Sequence, residues 1–189
     1  MASGERTDRE SDTELVRRIA NGDQRALAEV VRRHGGRLRS LALGFAGGAG
    51  EADDIVQETF WTLWRRARSW KPDGPPLSAW LTRVALNRAI DRERRRKVRN
   101  FFGIDDVAEP ADDRAGQDRQ LAAQGELAAV MDDIAELPPR QRAAILLAAD
   151  GERTNGEIAE ALGQSVGAVE QLLVRARRKL RARLAAREE

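Results

Sequence analysis

Three groups of side chains in this sequence have residue types and spacings suited to binding. The first group has carboxylates, an amide and an indole at i, i+3, i+4 and i+7, which places them on one face of a helix. These residues are Asp54, Gln57, Glu58 and Trp61, with Asp53 beside them. A large aromatic side chain exposed within a polar ring is typical of a protein-interaction hot spot. The alternative is that Trp61 and Trp64 both pack in the core.

The second group is cationic and lies on the next predicted helix. Its arginines form one stripe that could contact successive phosphates of a nucleic acid. They are Arg88, Arg92, Arg95, Arg96 and Arg99. Arg83 precedes Asn87 by one turn beside this stripe, and the Asn87 amide could read an adenine or an exposed base edge. Trp70, in the loop before the helix, could stack on an unpaired base. A solvated helix end and a loop aromatic folded onto the core are the alternatives.

The third group lies near the C-terminus and has the spacing of a helix-turn-helix. Ala159, Gly163 and Val169 are separated by four and six residues. They supply the small residue of the first helix, the turn residue that tolerates left-handed backbone and the apolar anchor of the second helix. Ser165 can cap that second helix. Its outer face could reach a DNA major groove and its phosphates, and carries Ala168, Glu170, Gln171, Val174, Arg175 and Arg178. The alternative is an ordinary helical hairpin with a solvated basic tail.

The composition excludes several kinds of site. The 189 residues include no cysteine and one histidine, His34, so disulfides, cysteine-ligated metals and thiol nucleophiles are ruled out. Asp53, Asp54 and Glu58 are close in sequence, but carboxylates at a helix start are better explained by the helix dipole and a partner surface than by a metal. We therefore predict no catalytic residue, no metal and no cofactor.

The targeting and charge signals favour an intracellular, nucleic-acid-binding class. No apolar run resembles a signal peptide or a membrane span, so we expect a cytoplasmic protein without stable membrane insertion. Thirty of the 33 cationic residues are arginines. The planar fork of arginine suits phosphates and base edges, although GC-rich codon usage would produce the same excess.

Net charge divides the chain into blocks. It is −2 over residues 1–60, +9 over 61–99, −8 over 100–136 and +3 over 137–189. A basic block, an acidic block and a mildly basic end predict two folded units joined by an acidic connector. We predict a disordered leader over residues 1–11, a first module over 12–99, a flexible linker over 100–125 and a second module over 126–187.

Apolar residues recur at helical spacing in both modules, and no stretch alternates like a strand. The sequence therefore predicts an all-α protein of two small helical domains. Asp12 or Thr13 is expected to cap the first helix and Asp23 the second, which Gly35-Gly36 could kink or split. The third helix is predicted to begin near Glu51, and the fourth at Ala79 after a Ser78 cap. In the second module, helices are predicted over 127–136, 139–149, 155–162 and 166–186.

Four motifs occur in an order that carries a family resemblance. They are ADDIVQETF at residues 52–60, WLTRVALNRAID at 80–91, LPPRQR at 137–142 and the segment 169–180 with its Arg-Ala-Arg. With these motifs the chain resembles the extracytoplasmic-function (ECF) sigma factors, the compact class of bacterial RNA polymerase specificity subunits. The resemblance covers residues 12–97 and 126–183.

This resemblance implies a role for each group of side chains. The face with Asp53, Asp54 and Trp61 would bind the clamp helices of the polymerase largest subunit. The Trp70 loop and the Asn87 helix would melt and read the minus-ten promoter element, and the helix-turn-helix would read the minus-thirty-five duplex. The implied partners are core RNA polymerase, promoter DNA and an anti-sigma factor, which could hold the protein at the inner membrane.

A free-standing helix-turn-helix regulator is the alternative function, although such a regulator has no need of the acidic tryptophan face. The recognition helix also departs from the family pattern. Many members carry a hydroxyl and basic residues at its start, where this chain has Ala168, Glu170 and Gln171. Because glutamate can accept from cytosine and glutamine can pair with adenine, we expect a minus-thirty-five element that is either unusual or contacted weakly.

Overall fold

The computed structural model describes residues 10–101, 128–149, 151 and 153–188. All regular elements in these ranges are helical, as the all-α prediction requires. The predicted leader lies outside the described residues up to Arg9, and the predicted linker lies outside them from Phe102 onward. Over the part of the chain described, no helix is long and apolar enough to cross a bilayer.

The first module is built from four helices and a short 3-10 turn. These elements are α1 (Asp12–Ala20), α2 (Gln24–Leu43), α3 (Ala49–Arg66), the 3-10 turn (Ala67–Ser69) and α4 (Leu77–Phe101). Each α-helix contributes at least one side chain that is at most 1% exposed, namely Leu15, Val30, Ile55, Leu63 and Leu81. Burial of each such side chain is worth about 1.5–3 kcal/mol, so this shared core holds the four helices together.

The second module is a smaller set of four helices. It comprises α5 (residues 128–135), α6 (Pro139–Ala148), α7 (Asn155–Leu162) and α8 (Val166–Glu188). Leu147, Ile158, Val169 and Ala176 are buried between α6, α7 and α8. Val169 and Ala176 are seven residues apart on α8, and this helical spacing predicts that both face inward.

Local capping signals set several of the helix ends. The Asp23 carboxylate accepts hydrogen bonds from the amides of Arg25 and Ala26, at 2.8 and 3.2 Å, and so caps α2 as predicted. Thr154 and Glu157 form a reciprocal capping box at the start of α7. The helix ends at Gly163, whose φ of 62° lies in the left-handed region that glycine adopts without strain.

The predicted cap of α1 was wrong, and the glycine pair does not split α2. Ser11, rather than Asp12 or Thr13, caps α1, because its hydroxyl accepts from the Glu14 amide at 3.2 Å. Helix α2 continues through Gly35-Gly36 without interruption. Its apolar side chains are buried on both sides of the glycine pair, and this packing outweighs the roughly 1 kcal/mol that each glycine costs a helix.

Two further helices begin earlier than predicted. Helix α3 begins at Ala49 rather than near Glu51, and α4 begins at Leu77 rather than Ala79. Leu77 is 2% exposed, so its packing draws the first turn of α4 into the core. Ser78 consequently lies inside the helix and does not cap it. At its other end α4 extends to Phe101, two residues beyond the predicted end of the first module.

The two modules pack against each other. Helix α4 contacts α7, α2 contacts α6, and the buried side chains of both modules form one contiguous cluster. The sequence predicted two units with a flexible connection, which permits a clamped form, but it did not identify the residues that make this contact.

We predict that Ile158→Ala lowers the free energy of unfolding by about 2–5 kcal/mol, because the side chain is fully buried and its loss leaves a cavity. Urea denaturation followed by circular dichroism measures the change. Val166→Ala is the matched control, since Val166 in the same module is 45% exposed and should cost less than about 0.5 kcal/mol. Equal losses in the two variants would contradict the buried position of Ile158.

Candidate protein and nucleic-acid interfaces

The acidic tryptophan face of α3 lies at the surface. Trp61 is 60% exposed, and Asp53, Asp54 and Gln57 are exposed around it. Trp64 is partly buried and packs against the core. The alternative of shared core packing therefore describes Trp64 and not Trp61. Spacing along the helix distinguishes the two tryptophans in the sequence. Trp61 continues the i, i+3, i+4, i+7 pattern of the surface residues Asp54, Gln57 and Glu58, and Trp64 does not.

Helices α3 and α4 pack together so that this acidic face meets the arginine stripe. Arg88 donates to the Glu58 carboxylate and, at 2.8 Å, to the Thr62 hydroxyl. Arg92 donates to the other Glu58 oxygen at 2.6 Å and approaches Asp54 Oδ2 at 3.4 Å. Direct ion pairs thus join the acidic tryptophan face and the arginine stripe, which the sequence predicted as two independent binding groups.

Arg96 extends the same set of contacts toward the start of α3. Its guanidinium donates to Glu51 Oε2 at 2.6 Å and to the Phe45 carbonyl at 2.9 Å. Glu51 and Thr62 were not among the predicted site residues. Only the packing of α3 on α4 identifies them, since both are more than 25 residues from their arginine partners in sequence.

Arg92 keeps its charge within these ion pairs. Partial burial lowers the pKa of Arg92, but the hydrogen bonds that it donates to Glu58 and Asp54, with the charges of these carboxylates, outweigh the burial and hold that pKa above its ordinary value. The paired side chains remain between 26% and 61% exposed. Exposed ion pairs contribute about 0–1 kcal/mol each and are screened by salt. A charged partner could therefore displace them at little cost.

A polar cleft of about 350 Å³ lies between the two helices. Two of the paired arginines and two exposed ones line it together with three carboxylates. These residues are Arg88, Arg92, Arg95, Arg99, Glu51, Glu58 and Asp91. Asn87 is exposed on α4, one residue before Arg88. An amide that could read a base edge is therefore next to guanidinium groups that could bind phosphates.

Arg83 and Trp70 are placed differently from the rest of the second group. The Arg83 guanidinium donates to the Glu160 carbonyl of α7, so it contacts the second module. Trp70 is half-buried and packs against the core. Its position agrees with the alternative of a loop aromatic folded onto the core, and only part of the ring faces solvent.

Helices α7 and α8 have helix-turn-helix geometry. Ala159 is 5% exposed and Val169 is fully buried, with Gly163 at the turn between them. Ser165 accepts from the Ala168 amide at 3.2 Å and so caps α8, as predicted. Ala168 is partly buried, whereas the outward face is exposed at Glu170, Gln171, Val174, Arg175 and Arg178. Within the described ranges, no cluster of three or more histidine or carboxylate side chains could hold a metal ion.

Two family models match the chain. Residues 30–99 match the model of sigma-70 region 2, and residues 127–180 match the model of sigma-70 region 4. The first match covers α3, α4 and most of α2, and the second covers the helix-turn-helix.

Named relatives match over nearly the whole chain. The RNA polymerase sigma factor NccH of Alcaligenes xylosoxydans xylosoxydans is 39% identical over 181 residues, which cover 94% of this chain and 97% of the relative. The ECF RNA polymerase sigma factor SigM of Mycobacterium tuberculosis (strain H37Rv) is 33% identical over 170 residues, which cover 90% and 83%. The solved structure of CnrH in complex with the cytosolic domain of CnrY superimposes with a TM-score of 0.71 at 34% identity, and covers 94% of this chain and 99% of that one.

We predict that Glu58→Gln lowers the free energy of unfolding by no more than about 1 kcal/mol at low salt, because it removes the charge that Arg88 and Arg92 share at a partly exposed position. The difference should disappear in 1 M salt, where screening acts within about 3 Å. Urea denaturation at both salt concentrations measures it. If the loss in free energy of unfolding persisted in 1 M salt, it would contradict the description of these contacts as weak, screened ion pairs that a charged partner can displace.

Proposed function

The chain belongs to the ECF class of RNA polymerase sigma factors, and on that premise we propose how its surfaces divide the work of such a subunit. A sigma factor of this class binds core RNA polymerase, directs it to specific promoters and helps to melt the DNA. Because sigma factors are binding subunits, we propose no reaction for this chain. The paired matches to regions 2 and 4 favour this function over a free-standing regulator.

The acidic tryptophan face is the proposed polymerase-binding surface. It consists of Asp53, Asp54, Gln57, Glu58 and Trp61. Trp61 offers a large exposed apolar area, and the carboxylates around it favour a basic partner. The resemblance assigns this position to the clamp helices of the polymerase largest subunit. Asp54 is the better residue to test, since Glu58 is bound to two arginines whereas Asp54 is approached by one, at 3.4 Å.

The exposed side of α4 is the proposed surface for the minus-ten element. Asn87 would read a base once the strands are separated, and the arginines beside it would bind the phosphates. The proposed contacts are Arg83, Asn87, Arg88, Arg92, Arg95 and Arg96, with Trp70 as a partial stacking platform. The observation that carries this proposal is the exposed Asn87 amide, which lies on the same helix as these arginines and beside the docking face.

The outer face of α8 is the proposed surface for the minus-thirty-five element. A recognition helix places its N-terminal residues against base edges in the major groove of duplex DNA. Here those residues are Ala168, Glu170, Gln171 and Val174, while Ser165, Arg175 and Arg178 are suited to phosphate contacts. The mixture of one carboxylate and one amide favours a sequence containing cytosine and adenine.

We also propose a protein partner that controls access to polymerase. The relative CnrH has been solved in complex with the cytosolic domain of CnrY. By analogy, an anti-sigma factor with a cytosolic segment would bind this chain in the cytoplasm and hold it near the inner membrane.

Asn87→Ala and Asp54→Arg should impair different steps. Loss of one base contact is worth about 1–3 kcal/mol, so Asn87→Ala should lower the yield of open complexes about tenfold and leave polymerase affinity unchanged. Asp54→Arg places a like charge against a basic partner and should weaken polymerase binding at least about tenfold. Permanganate footprinting measures promoter opening, and fluorescence anisotropy with core polymerase measures binding. If each variant lost promoter opening and polymerase binding to the same extent, the two functions would not reside on separate surfaces.

Gln171→Ala and Arg175→Ala form a matched pair on α8. Gln171→Ala should relax base preference at one position of the minus-thirty-five element, with a loss of about 1–3 kcal/mol for the preferred base. Arg175→Ala should weaken binding to all sequences equally and reduce the salt slope by about one. Reconstituted transcription from a promoter library randomised at that element, at several salt concentrations, separates the two effects. The assignment of Gln171 to a base and Arg175 to a phosphate would be contradicted if Arg175→Ala changed the base preference and Gln171→Ala did not.

A further inference from the structure

An apolar side chain is exposed in the middle of the outward face of α8. Val174 is 58% exposed, whereas Val169, Leu173 and Ala176 of the same helix are at most 4% exposed. At about 100° per residue, Val174 lies about 100° or more around the helix from each of these buried side chains. The helix runs from Val166 to Glu188, so this position is well inside it. The packing of α8 therefore holds Val174 outward.

Val174 lies beside the two side chains that are proposed to read bases. Glu170 and Gln171 precede it by four and three residues, and both are exposed. Helical residues at these spacings have Cβ atoms about 5–6 Å apart. Successive base pairs of a duplex are about 3.4 Å apart along its axis. The three side chains therefore reach base pairs that are no more than about two steps apart.

The start of α8 has no long side chain that would hold this face away from DNA. Gly167 is exposed and lies two turns before Val174 on the same side of the helix. A Cβ at Gly167 would meet nothing within 4 Å. Ala168 beside it carries only a methyl group. The first turns of the helix can therefore come close to the base edges in a major groove.

The charge around Val174 favours a nucleic acid as its partner. Residues 166–183 contain six basic residues and one acidic residue, Glu170. Arg175 and Arg178 follow Val174 and are exposed. Arginines placed in this way can bind the phosphates on either side of a groove. An apolar side chain among them is thus directed at the part of the duplex that lies between the phosphate rows, which is the base edges.

The chemistry of a valine side chain limits which base edge it can contact. Valine neither donates nor accepts a hydrogen bond, so against a polar edge it would displace water without replacing the lost hydrogen bonds. The 5-methyl group of thymine is the apolar group that the bases present in the major groove. Contact between this methyl group and a valine removes both from water. Valine therefore favours thymine over cytosine, which lacks the methyl group.

We propose that Val174 reads the 5-methyl group of a thymine in the minus-thirty-five element, within about two base pairs of the bases contacted by Glu170 and Gln171. This inference rests on the proposed function of α8 in binding that element. It adds a thymine to the cytosine and adenine that the polar side chains favour. Recognition of the element then depends on a methyl group as well as on hydrogen bonds.

Replacement of thymine by deoxyuridine tests this contact, because it removes the 5-methyl group and leaves base pairing intact. The probe is a promoter duplex whose minus-thirty-five element has been selected from a randomised library, with deoxyuridine at one thymine at a time. Fluorescence anisotropy measures how well each duplex competes for the full chain bound to core RNA polymerase. One such replacement within the element should weaken binding about fourfold, which is the value of one buried methyl group.

Val174→Ala should abolish this sensitivity and bind the thymine and deoxyuridine duplexes with affinities within about 1.5-fold of each other. Because Val174 is exposed, the substitution leaves the core of the module intact. Leu184→Ala is the matched control, since Leu184 is 45% exposed on the same helix but lies about 15 Å further along it. It should retain the fourfold sensitivity. Gln171→Ala should bind more weakly but also retain that sensitivity, because it removes a contact to a different base.

Three results would overturn the thymine contact. They are a selected element without a thymine, a parent complex that tolerates deoxyuridine at every thymine of the element, and a sensitivity to deoxyuridine that persists unchanged in Val174→Ala. Reconstituted transcription from the same promoters keeps this test separate from the proposed function. If any of these results occurs while transcription stays promoter-specific, only the role of Val174 fails. If the chain and core polymerase together support no promoter-specific transcription, the proposed function fails.

Discussion

The packing of α4 against its neighbours is the contact on which the other features depend. Leu81, Ala85 and Ala89 are at most 1% exposed and fix one face of this helix against the rest of the chain. Because an α-helix has 3.6 residues per turn, a fixed inner face also fixes the outer one. Asn87 is therefore held at the surface by the burial of its neighbours. The same helix contacts α2, α3 and α7, so its packing determines both the first module and the contact with the second.

The ion pairs between α3 and α4 couple two proposed binding surfaces. Glu58 belongs to the proposed polymerase-binding face, and Arg88 and Arg92, which pair with it, belong to the proposed minus-ten surface. A basic partner at Glu58 would release these arginines, and a phosphate at the arginines would release the carboxylate. The net charge of +9 over residues 61–99 therefore overstates the attraction of the free chain for DNA, because part of that charge is neutralised internally.

Local sequence signals predicted the helices well where the deciding interaction is local. Asp23 caps α2 and Gly163 ends α7, because capping and left-handed backbone depend on residues within one turn. The errors arose where packing overrides such signals. Gly35-Gly36 does not interrupt α2, and Leu77 starts α4 ahead of the expected Ser78 cap, since burial of apolar side chains outweighs a local preference.

The sequence by itself determined the family, the all-α class and the helix-turn-helix, because helical periodicity and short motifs are local properties. The structure decided that Trp61 is exposed, which the sequence had left open against packing in the core. Only the tertiary structure decided which charges meet. Glu58 and Arg88 are 30 residues apart, and Glu93 and Arg142 are 49 apart. Each of these groups has many possible partners of opposite charge in a sequence this rich in arginine. The burial of apolar faces selects one arrangement among them, and the ion pairs follow from it.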